Sequence, residues 1–257
     1  MKVELLGHAT VLVTASGGQR LLIDPYEEGG FQGKMRYQRV SESVDYVLCT
    51  HEHLDHCATH TLQGGFVQLQ LPSTEDERSD AFRLTTPCGV FEMLAWRLAH
   101  DEYGGRRFGG HVWAVRVCCD GVSMVHLSDV GHSPSVKDIE VLGKADVVLI
   151  PTGGFYTTGP LQAVEWVDRL GAKVCIPMHY QTPSCDLPLQ PLEYFLSALR
   201  PFYEIIDQMD QNMDDSVICV DVCKTRVLPL VMSHQNSIKS NMIRDVVFRA
   251  SGGVLQG

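Results

Sequence analysis

A layered α/β sandwich is the fold class that three features of this 257-residue chain predict. Short apolar segments alternate with turn residues through the first half. The second half changes to a strand, helix, strand rhythm. Runs rich in histidine and aspartate fall at the ends of apolar segments rather than inside them. Strands that gather polar chemistry at their ends, with helices packed outside, fit packed layers better than a closed barrel.

The first-half strands are expected at residues 3–6, 10–14, 20–23, 46–49, 66–71, 82–85 and 90–98. Gly17-Gly18 reads as a tight turn between the second and third, and Asp120-Gly121 as another between 111–119 and 122–127, so both pairs should be antiparallel. Segments 146–150 and 173–177 have the continuous apolar character of buried strands. Between them Leu161, Val164, Val167 and Leu170 recur at helical spacing, and Gly171 supplies a stop. Residues 191–200 form a second helix by the same test, ended by Pro201. Residues 72–80 read as a charged surface loop. With no linker and no repeat, 1–232 is read as one domain and 233–257 as a C-terminal extension, in which 243–248 is a short strand or helix.

A hydrophobic fraction of 44% is that of an ordinary globular protein, and 21 Lys plus Arg against 31 Asp plus Glu give a formal net charge of −10. That balance argues against nucleic acid as the main partner and for a small-molecule substrate. No leader-like start and no membrane-length apolar run are visible, so a cytoplasmic location is expected, with no membrane partner. A homo-oligomer is compatible with all of this. The nine cysteines, scattered and without a Cys-x-x-Cys pair, are expected to be reduced packing residues. Cys57 stands out because it follows His56.

The most informative run is Thr50-His51-Glu52-His53-Leu54-Asp55-His56, placed directly after the apolar segment 44–49. Neutral imidazole and carboxylate oxygen are what a divalent transition ion takes as ligands, and several converge where the backbone turns sharply at a strand end. His51 and His53 face one way from an extended segment. Asp55 and His56 follow after the turn, so one loop can serve two adjacent ions.

His-x-His-x-Asp-His after a strand resembles the signature of the metallo-β-lactamase fold superfamily of hydrolases. Gly7-His8-Ala9-Thr10 and Ile23-Asp24-Pro25 resemble the opening strands of a branch that includes ascorbate-6-phosphate lactonases. His126-Leu127-Ser128-Asp129-Val130-Gly131-His132, Ile150-Pro151-Thr152-Gly153-Gly154 and Ile176-Pro177-Met178-His179-Tyr180 resemble its later motifs in the same order. Ser128 departs from the glycine that many relatives carry before the aspartate. The resemblance implies a four-layer αββα sandwich and seven metal ligands. His51 and His53 would share one ion with His100, whose rivals are His111 and His126. Asp55, His56 and His179 would hold the second ion, and Asp129 would bridge both. Asp55 and Asp129 are then the catalytic carboxylates. Zinc is the default pair of ions for five imidazoles and two carboxylates, with manganese or iron tolerating the same donors.

Around this set, Asp24 is a candidate acceptor for the free N–H of a ligand histidine. His8 and His132 are candidates for the cavity wall or the outer shell. Tyr156, after Gly153-Gly154, could donate a hydrogen bond at the cavity edge, and Arg106 and Arg107 could grip an anionic group. The expected chemistry is a metal-bridging hydroxide attacking a small ester, lactone or phosphodiester. A metal-binding sensor without turnover and a nucleic-acid phosphodiesterase are the alternatives.

Overall fold

The computed structural model describes residues 1–75 and 79–199, and beyond them the backbone of four strands at 204–205, 217–220, 226–227 and 245–248. Parts of the expected 72–80 loop and most of the 233–257 extension therefore lie outside the described residues. One sheet orders its strands β13 (Val217–Val220), β15 (Asp245–Phe248), β1 (Lys2–Gly7), β2 (Thr10–Thr14), β3 (Arg20–Ile23), β4 (Tyr46–Leu48) and β5 (Val67–Leu69). The other runs β12 (Glu204–Ile205), β14 (Arg226–Val227), β11 (Val174–Met178), β10 (Val147–Pro151), β9 (Val122–His126), β8 (His111–Cys119), β7 (Glu92–Ala99) and β6 (Ala81–Thr85). Both expected hairpins are antiparallel, and Asp120 and Gly121 take the left-handed backbone that their two-residue turn requires.

Successive side chains of a strand face opposite ways, and the burial pattern follows that period. Val11 and Val13 of β2, Leu21 and Ile23 of β3, and Leu48 of β4 meet Met124, Leu149 and Ile176 between the sheets. Their neighbours Leu12, Leu22 and Val47 point outward into a second cluster with Tyr26, Met35, Tyr37 and Leu189. That outer layer is built largely of irregular chain, with α1 (Gly30–Gly33) contributing a single turn. Val125, Val148, Ile150 and Cys175 face the other way, toward the helices α2 (Val136–Leu142), α3 (Pro160–Leu170) and α4 (Leu192–Leu199). No helix among the described residues is long and apolar enough to cross a membrane.

Helix α3 differs from the expected stripe. Its buried residues are Ala163, Trp166, Val167 and Leu170, whereas Leu161 is 78% exposed. The i, i+3, i+4, i+7 pattern starts two residues later because it must carry the fully buried Trp166. Helix α2 was not anticipated, although Ser135 and Asp138 form a capping box across its first turn and the Asp138 carboxylate also accepts from Trp96 Nε1 at 2.9 Å.

Pairing direction places the chemistry. β1 runs parallel to β3 through the antiparallel β2, and β3 is parallel to β4. In the other sheet β7 is antiparallel to β8, which is antiparallel to β9, and β9, β10 and β11 are mutually parallel. The C-terminal ends of β1, β3 and β4 thus share one sheet edge, and those of β7, β9, β10 and β11 another. A backbone hydrogen bond from His179 N to His8 O, 3.0 Å, joins the two edges.

Candidate metal centre

One to three residues past those strand ends lie His8, Asp24, Thr50, His51, His100, Asp129 and His179, all buried. The Asp129 carboxylate is the hub. Its Oδ2 lies 3.1 Å from His56 Nε2, 3.4 Å from both His100 Nε2 and His179 Nε2, and 3.9 Å from His51 Nε2. The donor atoms form two groups of four, one of His51, His53, His100 and Asp129, the other of His8, Asp55, His56 and His179, and Asp24, His51 and His56 make a third, smaller cluster beside them. All seven residues expected as ligands are gathered here. His8, expected on the wall or outer shell, joins the second group through a 3.0 Å contact between its Nε2 and Asp55 Oδ2.

His56 Nε2, His100 Nε2 and Asp129 Oδ1 are buried without a hydrogen-bond partner. Buried polar atoms are normally satisfied, so several orphaned lone-pair atoms converging on one point fit a divalent cation. The outer partners turn those atoms inward. Asp24 Oδ2 accepts from His56 Nδ1 at 2.9 Å, and the Tyr156 carbonyl oxygen accepts from His100 Nδ1 at 3.1 Å, leaving Nε2 free in both rings. Asp24 also accepts from Thr50 N and Thr50 Oγ1, both at 2.7 Å.

Electrostatics favour the same use. Burial and the neighbouring His56 hold the His51 imidazole well below its ordinary pKa, and burial lowers His179, a direction that favours the neutral ring a cation binds. Burial alone would raise Asp129, yet His179 and His56 drive it well below the usual carboxylate range. His56 is the exception: burial would lower it, but Asp129, Asp55 and Asp24 raise it well above the imidazole norm.

Backbone strain concentrates at the same place. Among the described residues, non-glycine positions with positive φ include His8, Asp24, Ser128 and His179 at the centre, and Phe31 and Phe155 at its mouth. Such conformations persist where the surrounding structure over-determines them. Gly109 is required by contact as well as by its φ of 124°, since a Cβ there would lie 2.7 Å from His53 Nε2. At Gly153 a Cβ would meet the His179 carbonyl oxygen at 2.3 Å, so the expected close backbone approach of that loop is present.

Other expectations are corrected. His132 does not reach the centre; its ring meets Trp166 on the helical side at 6.1 Å, because the chain turns toward α2 after Gly131. Neither Arg106 nor Arg107 lines the cavity. Arg106 Nε donates to Tyr103 O at 2.7 Å, and the Arg107 guanidinium lies over the Phe108 ring at 4.8 Å. Tyr156 lines the cavity, and its carbonyl oxygen is also the acceptor for His100 Nδ1. His126 is structural: its Nε2 donates to Ala9 O at 3.0 Å and its Nδ1 accepts from Ser128 N at 3.1 Å. His111 opens β8 opposite Ala99 and joins neither donor group. Cys57 hydrogen-bonds with Cys49, and the seven described cysteines are all free thiols.

Sequence reasoning missed Thr50, Ser128 and Asp101. Asp101 accepts from the backbone N–H of Tyr103, Gly105, Arg107 and Phe108 at 2.6–3.0 Å and so shapes the loop that seats Gly109 against His53. An aspartate followed by a glycine-rich loop was its only advance sign.

Two packed mixed sheets with polar clusters at their strand ends define a metallo-β-lactamase-type sandwich. The sequence model of the β-lactamase superfamily domain matches residues 2–179, and the chain belongs to that family. It is 31% identical over 194 residues to a UPF0173 metal-dependent hydrolase of Korarchaeum cryptofilum, covering 71% of this chain and 84% of the relative. A second UPF0173 metal-dependent hydrolase, of Archaeoglobus fulgidus, is 30% identical over 199 residues, with 71% and 84% covered. Among solved structures, one from Thermotoga maritima described as a Zn-dependent hydrolase of the metallo-β-lactamase superfamily is similar at a TM-score of 0.63 and 26% identity. That match covers 89% of this chain and 97% of that one.

Proposed function

We propose that the chain is a metal-dependent hydrolase of small esters, lactones or phosphodiesters. Two divalent ions would be held by His51, His53 and His100 on one side and by Asp55, His56 and His179 on the other, with Asp129 between. The four imidazole Nε2 atoms within 3.9 Å of Asp129 Oδ2 carry this reading. Zinc suits the donor set, and manganese or iron accepts the same atoms. Ions bound there would act as Lewis acids and lower the pKa of water from 15.7 toward about 7.

The protein's own part is to position and to shield. Asp24 and the Tyr156 carbonyl fix the rings of His56 and His100. No serine, cysteine or lysine lines the described cavity, and with Asp55, Asp129 and the imidazoles engaged by the ions, water would be the nucleophile. The cavity has a volume of about 380 Å³, which suits a small molecule rather than a polymer.

The test is metal analysis after loading with zinc, manganese or iron, combined with turnover of a panel of nitrophenyl esters, lactones and bis-nitrophenyl phosphate. Two ions per chain and chelator-sensitive turnover are expected. One ion per chain would reject the dinuclear assignment, and metal binding without turnover of any substrate would favour a sensor.

A further inference from the structure

We propose that the substrate carries an uncharged acyl or alkyl arm, received by a ring of Phe31, Leu54, Phe108, Phe155, Tyr156 and Leu187 at the cavity mouth. This names a substrate class for the hydrolase reading above and rests on it.

The ring is assembled from five separate stretches of chain. Phe31 comes from the segment between β3 and β4, Leu54 from the histidine-rich loop and Phe108 from the loop organised by Asp101. Phe155 and Tyr156 follow β10, and Leu187 follows β11. Five of the six line the cavity, and Phe155 joins them through rings 6.0 Å from Phe108 and 4.6 Å from Tyr156. Single exposed apolar residues are ordinary, but a contiguous patch around a cavity marks a binding surface. Phe31 is 37% exposed, Leu54 63% and Phe155 58%. Both phenylalanines also hold left-handed backbone, φ 52° and 58°, which bulky residues rarely adopt. Neither their local backbone nor the free protein's solubility gains from presenting these rings outward, whereas an apolar ligand does.

Charge points the same way. The cavity's ionisable side chains are carboxylates, imidazoles and the Tyr156 phenol, with Glu52 exposed at the mouth, and no lysine or arginine lines it among the described residues. Arg107 sits against the aromatic wall, its guanidinium 4.8 Å from the Phe108 ring centre and 5.9 Å from that of Tyr103, rather than inside. A phosphate held inside the cavity would meet Glu52 and apolar rings, with Arg107 outside on the far side of that wall.

In the ester case, the oxygen of water bonds to the acyl carbon, the bond from that carbon to the alkoxy oxygen breaks, and the proton leaves with the alcohol. No further reactant is consumed.

The experiment uses the metal-loaded full chain with 4-nitrophenyl esters from acetate to octanoate, and the same chains ending in phosphate. In parallel, fluorescence anisotropy follows binding of a dansyl octylamide. Each added methylene should raise kcat/KM about fourfold until the ring is filled, and terminal phosphate should abolish that gain. Leu54→Ser and Phe155→Ser should each flatten the chain-length dependence and weaken probe binding about tenfold. Val136→Ser, 65% exposed on α2, should change neither. Equal kcat/KM for acetate and octanoate, or probe affinity untouched by both ring variants, would overturn the apolar-arm assignment while leaving the hydrolase intact. No ester turnover, with ring-dependent probe binding retained, would instead keep the apolar site and exclude esters as the bond class, leaving lactones and phosphodiesters.

Discussion

Within the strands, Leu21, Val47, Met124, Leu149 and Ile176 are fully buried in apolar clusters. A few residues farther along the same strands, Asp24, His51, Asp129 and His179 are nearly as buried, yet they are ionisable and several of their atoms lack partners. Burial is favourable in the first region at roughly 25 cal/mol per Å² of apolar surface. In the second it costs free energy unless each polar group finds a partner. The difference teaches that the strand bodies supply stability and the strand ends draw on it, holding a donor set that a cation completes.

The sharpest way to break this contrast is Asp129→Ala. It removes the hub without touching the apolar layer, so turnover should fall by about 100- to 1000-fold or more, the lower figures being the scale on which a single charge-stabilising group acts. Bound metal should fall with it while circular dichroism stays native. Full metal content with normal turnover would show that the strand ends do not act through this carboxylate.

Trp166→Ala tests the other region. Its ring is fully buried against the second sheet, and truncation should cost about 3–5 kcal/mol in denaturant unfolding. Metal bound per folded chain should not change; a parallel loss would mean that the two regions are not separable.

A smaller effect is expected from Asp24→Asn, which keeps the shape but weakens the acceptor for His56 and Thr50. Metal affinity measured by competition with a chelator should drop about 10- to 100-fold, with unfolding nearly unchanged. Unaltered affinity would make Asp24 a turn residue only.

The mildest case lies outside both regions. Asp146 accepts from Ser123 N and Oγ at 2.9 Å and from Lys173 Nζ at 2.7 Å, joining the starts of β9 and β11. Burial alone would raise its pKa, but Lys173 and Ser123 leave it lowered. A depressed carboxylate contributes stability above its unfolded pKa, about 3.9, which is lost as pH falls through the folded value. Asp146→Ala should therefore cost about 1 kcal/mol at pH 7, with the gap from wild type closing below about pH 4. A gap that persists at pH 3 would assign the effect to packing.

Much of this was legible in the chain itself. Period-two burial, the Asp120-Gly121 turn and the Gly171 stop are local, because each depends on neighbours within a few residues. The histidine-rich run and the aspartate and histidines after later strands stood out for the same reason: polar residues directly after apolar segments cannot continue the core. Local reading misplaced the stripe of α3 and passed over the Ser135–Asp138 box, where the signal was present but short.

The sequence alone determined a layered α/β sandwich whose strand ends carry imidazoles and carboxylates. Only the tertiary structure decided which of those groups meet. His8 pairs with Asp55 across 47 positions, Asp24 turns His56 inward across 32, and His132 is carried off to Trp166. That no lysine or arginine among the described residues lines the cavity, and that its mouth is apolar, are likewise set by where five distant segments converge. Periodicity fixes which face of an element is buried, but it holds no information on what stands opposite; that follows from strand order, pairing direction and the packing of one sheet on the other.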